Sequence, residues 1–278
     1  VSGRARTAAA PGPGVFRAFL RRDFREAVTY KFSFISSVTG ILLSSATFYF
    51  VAKLVPRGSP SLGPFGGDYF SFAVVGVAFA GLLGMFQEGL SAVVRGAQLS
   101  GTLEALLVTP VAVPAILFGS SLYSLIFQVV RTVIHLAVAA AFFGLAFGRV
   151  NVAGVLAVGL LTVLCFLSVG VLSASFILVY KTGNPFSWIM GTVSGLLGGV
   201  VFPVSLLPPW IRWISSLLPV TYSLDGMRKS LLASAPFAEV LPDVAALAVF
   251  VAVLLPLSLA VFRLAVRKAK RDGTLSHF

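Results

Sequence analysis

Asn151–Tyr180 reads NVAGVLAVGLLTVLCFLSVGVLSASFILVY, without a single charged side chain. A helix rises about 1.5 Å per residue and the hydrocarbon core of a bilayer is about 30 Å thick, so about 20 apolar residues cross it. This stretch is longer than that, and it places the chain in a membrane. The composition agrees: 58% of the residues are apolar and 11% charged, against roughly 25% charged in a typical soluble domain. With a mean hydropathy of +0.98, too few polar side chains remain to cover a surface facing water.

Working outward from that stretch, the same criterion gives six spans. They are Phe32–Val55, Tyr69–Val93, Val111–Phe147, Asn151–Tyr180, Pro185–Phe202 and Val244–Phe262. Val111–Phe147 is longer than one span requires, and its first turns are expected in the interface. Splitting it would give seven spans and strand the basic C-terminal tail on the opposite side, so it is read as one. The expected fold is an all-α membrane protein of six transmembrane helices. A cytoplasmic tail and amphipathic helix occupy 1–31 and the transmembrane domain 32–266. That domain includes a cytoplasmic connection at 95–110 and an outer cap at 203–243, and a cytoplasmic tail follows at 267–278.

Charge sets the orientation. Arg4, Arg6, Arg17, Arg21, Arg22, Arg25 and Lys31 precede the first span against only Asp23 and Glu26. Arg263, Arg267, Lys268, Lys270 and Arg271 follow the last against Asp272. The net charge of +12 thus gathers at the two ends, without the polar folded domain on which nucleic acid is usually bound. Nucleic acid is excluded as a partner. Lys and Arg flanking spans stay in the cytoplasm, so both termini are expected inside a cell membrane, which agrees with an even number of spans. The first apolar run is too long, and its basic lead too extended, for a signal peptide. The Ala, Gly, Val and Arg usage leans toward a bacterial source.

Two segments are neither span nor plain loop. From Val15 to Lys31, apolar Val15, Phe16, Phe19, Leu20 and Phe24 alternate with arginines, as in a helix lying in the interface; an ordinary extension of span one is the alternative. Residues 203–243 are moderately apolar but carry Pro203, Pro208, Pro209, Pro219, Pro236 and Pro242, with Trp210, Trp213 and Tyr222. The prolines argue against one continuous helix, and Trp and Tyr favour headgroup depth. Short interfacial or re-entrant outer helices are expected; a plain loop seldom carries so much Leu, Ile and Trp.

Catalytic groupings are scarce. Two histidines, His135 and His277, and one cysteine, Cys165, make a metal site of ordinary ligand number improbable, and Cys165 is read as packing. There is no G-x-x-x-x-G-K-[ST] and no G-x-S-x-G, so the chain is not read as an enzyme, and ATP, if used, must bind another chain. The most informative stretch is Gly101-Thr102-Leu103-Glu104-Ala105-Leu106-Leu107-Val108-Thr109-Pro110, between spans two and three. Gly101 starts a short helix, Glu104 suits its positive N-terminal end and Pro110 stops it. Leu103, Leu106 and Leu107 form an apolar face, covered either by a partner or by the chain's own spans.

Gly101–Pro110 resembles the coupling-helix region of permease subunits of type-2 ABC transporters, the exporters of drugs, lipids and polysaccharides. A second stretch is similar at the corresponding place: Val201-Phe202-Pro203 with Leu206-Leu207-Pro208, then Leu218-Pro219-Val220-Thr221-Tyr222 and Asp225 through Arg228. In that family this spacing belongs to outer re-entrant helices after the fifth span. Arg22-Asp23-Phe24-Arg25 is also similar, though less specific, and the resemblance covers essentially the whole chain in order. It implies a subunit that pairs with a second copy of itself and with two separate ATPase subunits, which bind ATP and magnesium. Gly101, Thr102, Leu103, Glu104, Leu106, Leu107 and Pro110 would dock in the ATPase.

Polar residues at membrane depth are functional candidates by default. Gln128, Arg131 and His135 share one face of the third span. Glu88 is a tempting partner for Arg131, but the opposite directions of spans two and three separate them in depth; Asp225 or carbonyls of the outer cap are the expected partners. This face, with Phe202, Pro203, Tyr222 and Asp225, is read as pathway or outer gate, against the alternative of a purely structural polar cluster. Gly191, Gly195 and Gly199 repeat at the spacing of close helix contacts, within the subunit or across a dimer. A gradient-driven transporter or channel is the competing function, but no internal repeat or midplane acid supports it. The rarity of charge in the spans leans toward an amphipathic or lipid-like cargo.

Overall fold

A computed structural model describes residues 31–56, 59–99, 113–180 and 185–271. Helix α1 is Lys31–Ala52, and a 3-10 turn at Pro60–Phe65 leads to α2, Tyr69–Leu99. Then come α3 (Val113–Phe143), α4 (Val152–Tyr180) and α5 (Pro185–Leu197). A second 3-10 turn, Val204–Leu206, precedes α6 (Pro209–Ser216), α7 (Pro219–Leu231) and α8 (Phe237–Arg271). No strand occurs among the described residues. Helices α1 to α4 and α8 are long and apolar enough to cross a membrane, and α5 is a shorter apolar helix. The chain is a multi-pass, all-helical membrane protein. The expected amphipathic helix before Lys31 and the segment 101–110 lie outside the described residues.

Local chemistry explains where the helices start. Asp68 caps α2, its carboxylate accepting from the Ser71 N–H at 2.8 Å and the Ser71 hydroxyl at 2.6 Å. Asn151 caps α4 by accepting from the Gly154 N–H at 3.0 Å, and both satisfy N–H groups that a helix leaves unpaired. Pro209 and Pro219 stand at the first positions of α6 and α7, where a missing N–H costs nothing. These two prolines of the cap thus begin short helices.

Several boundaries differ in detail from the sequence reading, and α2 runs on to Leu99, past Val93. The long third run is one unbroken helix that stops at Phe143. The fifth run is helical only to Leu197, because Gly199 adopts φ +78° and ends it. The last helix begins at Phe237, seven residues before Val244, and runs to Arg271 despite Pro242 and Pro256. Each of these prolines removes one i−4 bond, which tertiary packing of so long a helix tolerates.

Helix α4 is the centre of the bundle, packing most extensively against α8 and α2. At one end Leu90 and Val94 of α2, Ile177 and Leu178 of α4, and Phe262 and Ala269 of α8 form a buried cluster. Tyr49 near the end of α1 meets Phe70 at the start of α2, ring centroids 5.8 Å apart, so these two helices are antiparallel. The start of α1 and the end of α8 therefore share one end of the bundle. The opposite end is capped by α6 and α7. There Val220 and Leu224 of α7 cluster with Leu82, Phe86, Cys165 and Phe166, so α7 packs into the bundle beside α2 and α4. Cys165 is fully buried there, in the packing role expected of it. Helices α1 and α5 are peripheral, with Leu43, Phe50, Trp188 and Leu196 exposed.

Candidate functional site

The capped end is organised around Arg228, which is fully buried. Its Nε donates to the Phe72 carbonyl at 3.1 Å, Nη1 to Gly199 and Nη2 to Val200, each at 2.7 Å. The guanidinium also lies 3.5 Å from the Phe72 ring centroid, a cation–π contact in a dry setting. One side chain on α7 therefore joins the first turn of α2 to the segment that follows α5. The close approach needs Gly76: a Cβ there would overlap the Val200 carbonyl oxygen and the Arg228 guanidinium. Asp225 lies one turn before Arg228 on α7, which does not itself span. Burial pushes the Asp225 carboxyl up to about 6; Arg228 opposes this, Asp243 adds to it and Lys229 opposes it. Burial pushes Arg228 down to about 9 against the pull of Asp225.

Further bonds lock the cap. Lys229 pairs with Asp243 of α8 at 2.7 Å, the one ion pair among the described residues. The connection from α3 to α4 is stitched to the end of α7: the Gly148 and Asn151 N–H groups donate to the Leu231 and Ser230 carbonyls at 3.0 and 2.9 Å. The Arg149 N–H donates to Ser234 Oγ at 2.6 Å. Thr162 of α4 donates to Ser223 of α7 at 2.9 Å. The Tyr222 hydroxyl donates to the Ser216 carbonyl at 2.9 Å, closing α6 against α7.

The second feature is a cleft of about 380 Å³ between α1, α2 and α3. Gln128, Arg131 and His135 all line it, as their shared face requires, together with Ser44 of α1 and Thr132 of α3. Gly40, Ala78, Ala80 and Gly81 make its room. Thr132 donates to the Ala78 carbonyl at 3.3 Å and holds α3 on α2. His135 is buried and its Nε2 has no hydrogen-bond partner.

The structure therefore divides the expected pathway-or-gate group. Phe202, Pro203, Tyr222 and Asp225 belong to the cap and do not line the cleft; Phe202 and Tyr222 are half-buried and Pro203 buried. Asp225 forms no ion pair with Arg131 among the described residues; the charges that act on it are those of Arg228, Asp243 and Lys229. Glu88 forms no ion pair among the described residues. Arg228 entered the sequence reading only as the end of the stretch Asp225 through Arg228, without a site role of its own. Its signal was an arginine one turn after an aspartate in a short amphipathic helix; its three carbonyl acceptors come from distant chain positions. The small-residue repeat also divides: Gly195 faces open space, whereas Gly199 serves the Arg228 clamp.

No curated protein matches the chain. The family model for the ABC-2 type transporter matches residues 14–232, well over half of the 278 residues. The matched region takes in the cleft and the cap up to the end of α7. A match of that extent shows the family, and the chain belongs to the ABC-2 type transporter family.

Proposed function

We propose that the chain is the transmembrane subunit of an ATP-driven exporter, working as two copies with two separate ATPase subunits. The family match over residues 14–232 carries this reading. ATP and magnesium belong to the partner chains, because this sequence holds no phosphate-cradling loop. Gly101, Thr102, Leu103, Glu104, Leu106, Leu107 and Pro110 form the contact with the ATPase. In sequence they follow α2, whose end lies at the end of the bundle shared by the start of α1 and the end of α8. With basic residues flanking both of those helix ends, that end is cytoplasmic by the positive-inside rule. The capped end then faces outward, with α6 and α7 as re-entrant helices, in the cell membrane of a bacterium. The three cleft residues and the cap form the route and its outer gate for an amphipathic cargo.

The experiment is purification of the full chain together with its neighbouring gene products. A nucleotide-binding ATPase should co-purify, and vesicles containing both should export cargo only with ATP. Reconstitution of the chain alone as an ATP-independent, gradient-driven transporter would overturn the proposal.

A further inference from the structure

The cleft between α1, α2 and α3 is built to hold negative charge. Arg131 lies about 18 Å along α3 from Phe143 by helical rise, well inside the apolar span Leu125–Phe143. Ionisable groups at such depth are paired or face water, yet no acidic residue lines the cleft and Arg131 has no ion-pair partner among the described residues. One turn on, His135 is more than nine-tenths buried with Nε2 unpartnered. An unmet buried polar atom is costly and asks for a ligand or water. Gln128 and Ser44 add an amide and a hydroxyl; Thr132 is already committed to Ala78. The volume of about 380 Å³ lies within the range of about 300–1,000 Å³ usual for ligand sites.

The surroundings say what kind of anion. On α3, next to the cleft residues, Val130 and Val133 are exposed at 49% and 60%, the face a lipid chain covers. We infer that the cleft takes the phosphate headgroup of an anionic amphiphile, held by Arg131 and His135 with Gln128 and Ser44, while its tail lies along the apolar face of α3. This deepens the exporter reading by naming the class of cargo, and rests on that reading only for the word cargo. Binding itself needs neither ATP nor an ATPase.

The test uses the full chain in nanodiscs of equal phosphatidylglycerol and phosphatidylcholine, with retained lipid identified by native mass spectrometry. Phosphatidylglycerol should be retained in preference, and Arg131→Gln should lower that preference by about tenfold, the scale of a lost charge-assisted hydrogen-bond pair. Arg131→Lys should keep part of it, His135→Gln should weaken it, and Arg149→Gln, an exposed side chain outside both the cleft and the cap, should leave it unchanged. Because the basic ends are intact in every variant, their attraction for anionic lipid cancels. Should Arg131→Gln not fold, His135→Gln and Gln128→Leu decide by the same readout. Equal retention of the two lipids, or a preference that survives loss of Arg131 or His135, overturns the inference. Displacement of the lipid by millimolar inorganic phosphate, with binding of phosphate in purely zwitterionic nanodiscs, would assign the site to a free anion and overturn the amphiphile. Failure of ATPase co-purification with intact lipid preference would count against the exporter reading alone.

Discussion

A guanidinium carries five donors in a rigid fork, and Arg228 uses that fork to serve carbonyls from two separate parts of the chain. Lysine supplies a single point of charge and lacks this geometry. Arg228→Lys and Arg228→Gln should therefore both destabilise the protein, by about 3 kcal/mol or more, since several hydrogen bonds to a charged group are lost and buried carbonyls are left unmet. Thermal unfolding in detergent checks this, as both variants should melt well below the parent. Asp225 gives the opposite sign. Its folded pKa, about 6, lies above its ordinary value of 3.8, so the native state binds the proton more tightly than the unfolded chain. Stability is therefore lost as pH rises from about 4 to above 6, where the carboxylate is charged but buried. Asp225→Asn should melt above the parent at pH 7.5, with the gap narrowing toward pH 4.5.

At the scale of elements, contact between α2 and the segment after α5 depends on absent side chains. Gly76→Ala sets a methyl against the Val200 carbonyl and the Arg228 guanidinium, neither of which yields without breaking the clamp, so a loss of about 1–3 kcal/mol is expected. Gly40→Ala, where nothing lies within 4 Å, is the matched control and should be neutral in the same melt. The connection from α2 to α3 supports a different kind of prediction. Replacing Glu104 and Leu107 by Lys puts charge on the apolar face and at the positive end of the short helix expected there. Association with the ATPase, read by co-purification, should be lost, and membrane insertion should be retained.

For the whole molecule, the peripheral helices are the faces left open to the second copy proposed above. Helix α5 reaches only about 20 Å by helical rise, and Gly195 on it faces open space with Leu196 exposed beside it. Small residues at this spacing permit close helix approach. Gly195→Leu should lower cross-linking between copies in the membrane without changing the melting temperature of the subunit. A variant that cross-links as well as the parent would move the contact between copies to another face, with α1 the next exposed candidate.

Sequence alone determined the class and the helical order. Lipid demands internal backbone pairing and about 20 apolar residues per crossing, and Asn151–Tyr180 meets that demand by composition, whatever its neighbours. The shared face of Gln128, Arg131 and His135 was legible for a similar reason, because helical periodicity is local. Residues 203–243 were legible as irregular, since proline acts on its own backbone, but the start of α8 seven residues before Val244 was not. Only the tertiary structure decided that Asp225 and Arg131 do not pair. It alone decided that Arg228, Gly76, Gly199 and Val200 meet at one point, and that an uncompensated arginine and an unpartnered histidine share a cleft with Ser44 of α1. Those facts depend on which distant helices touch, and a buried guanidinium acquires its meaning from the carbonyls that surround it.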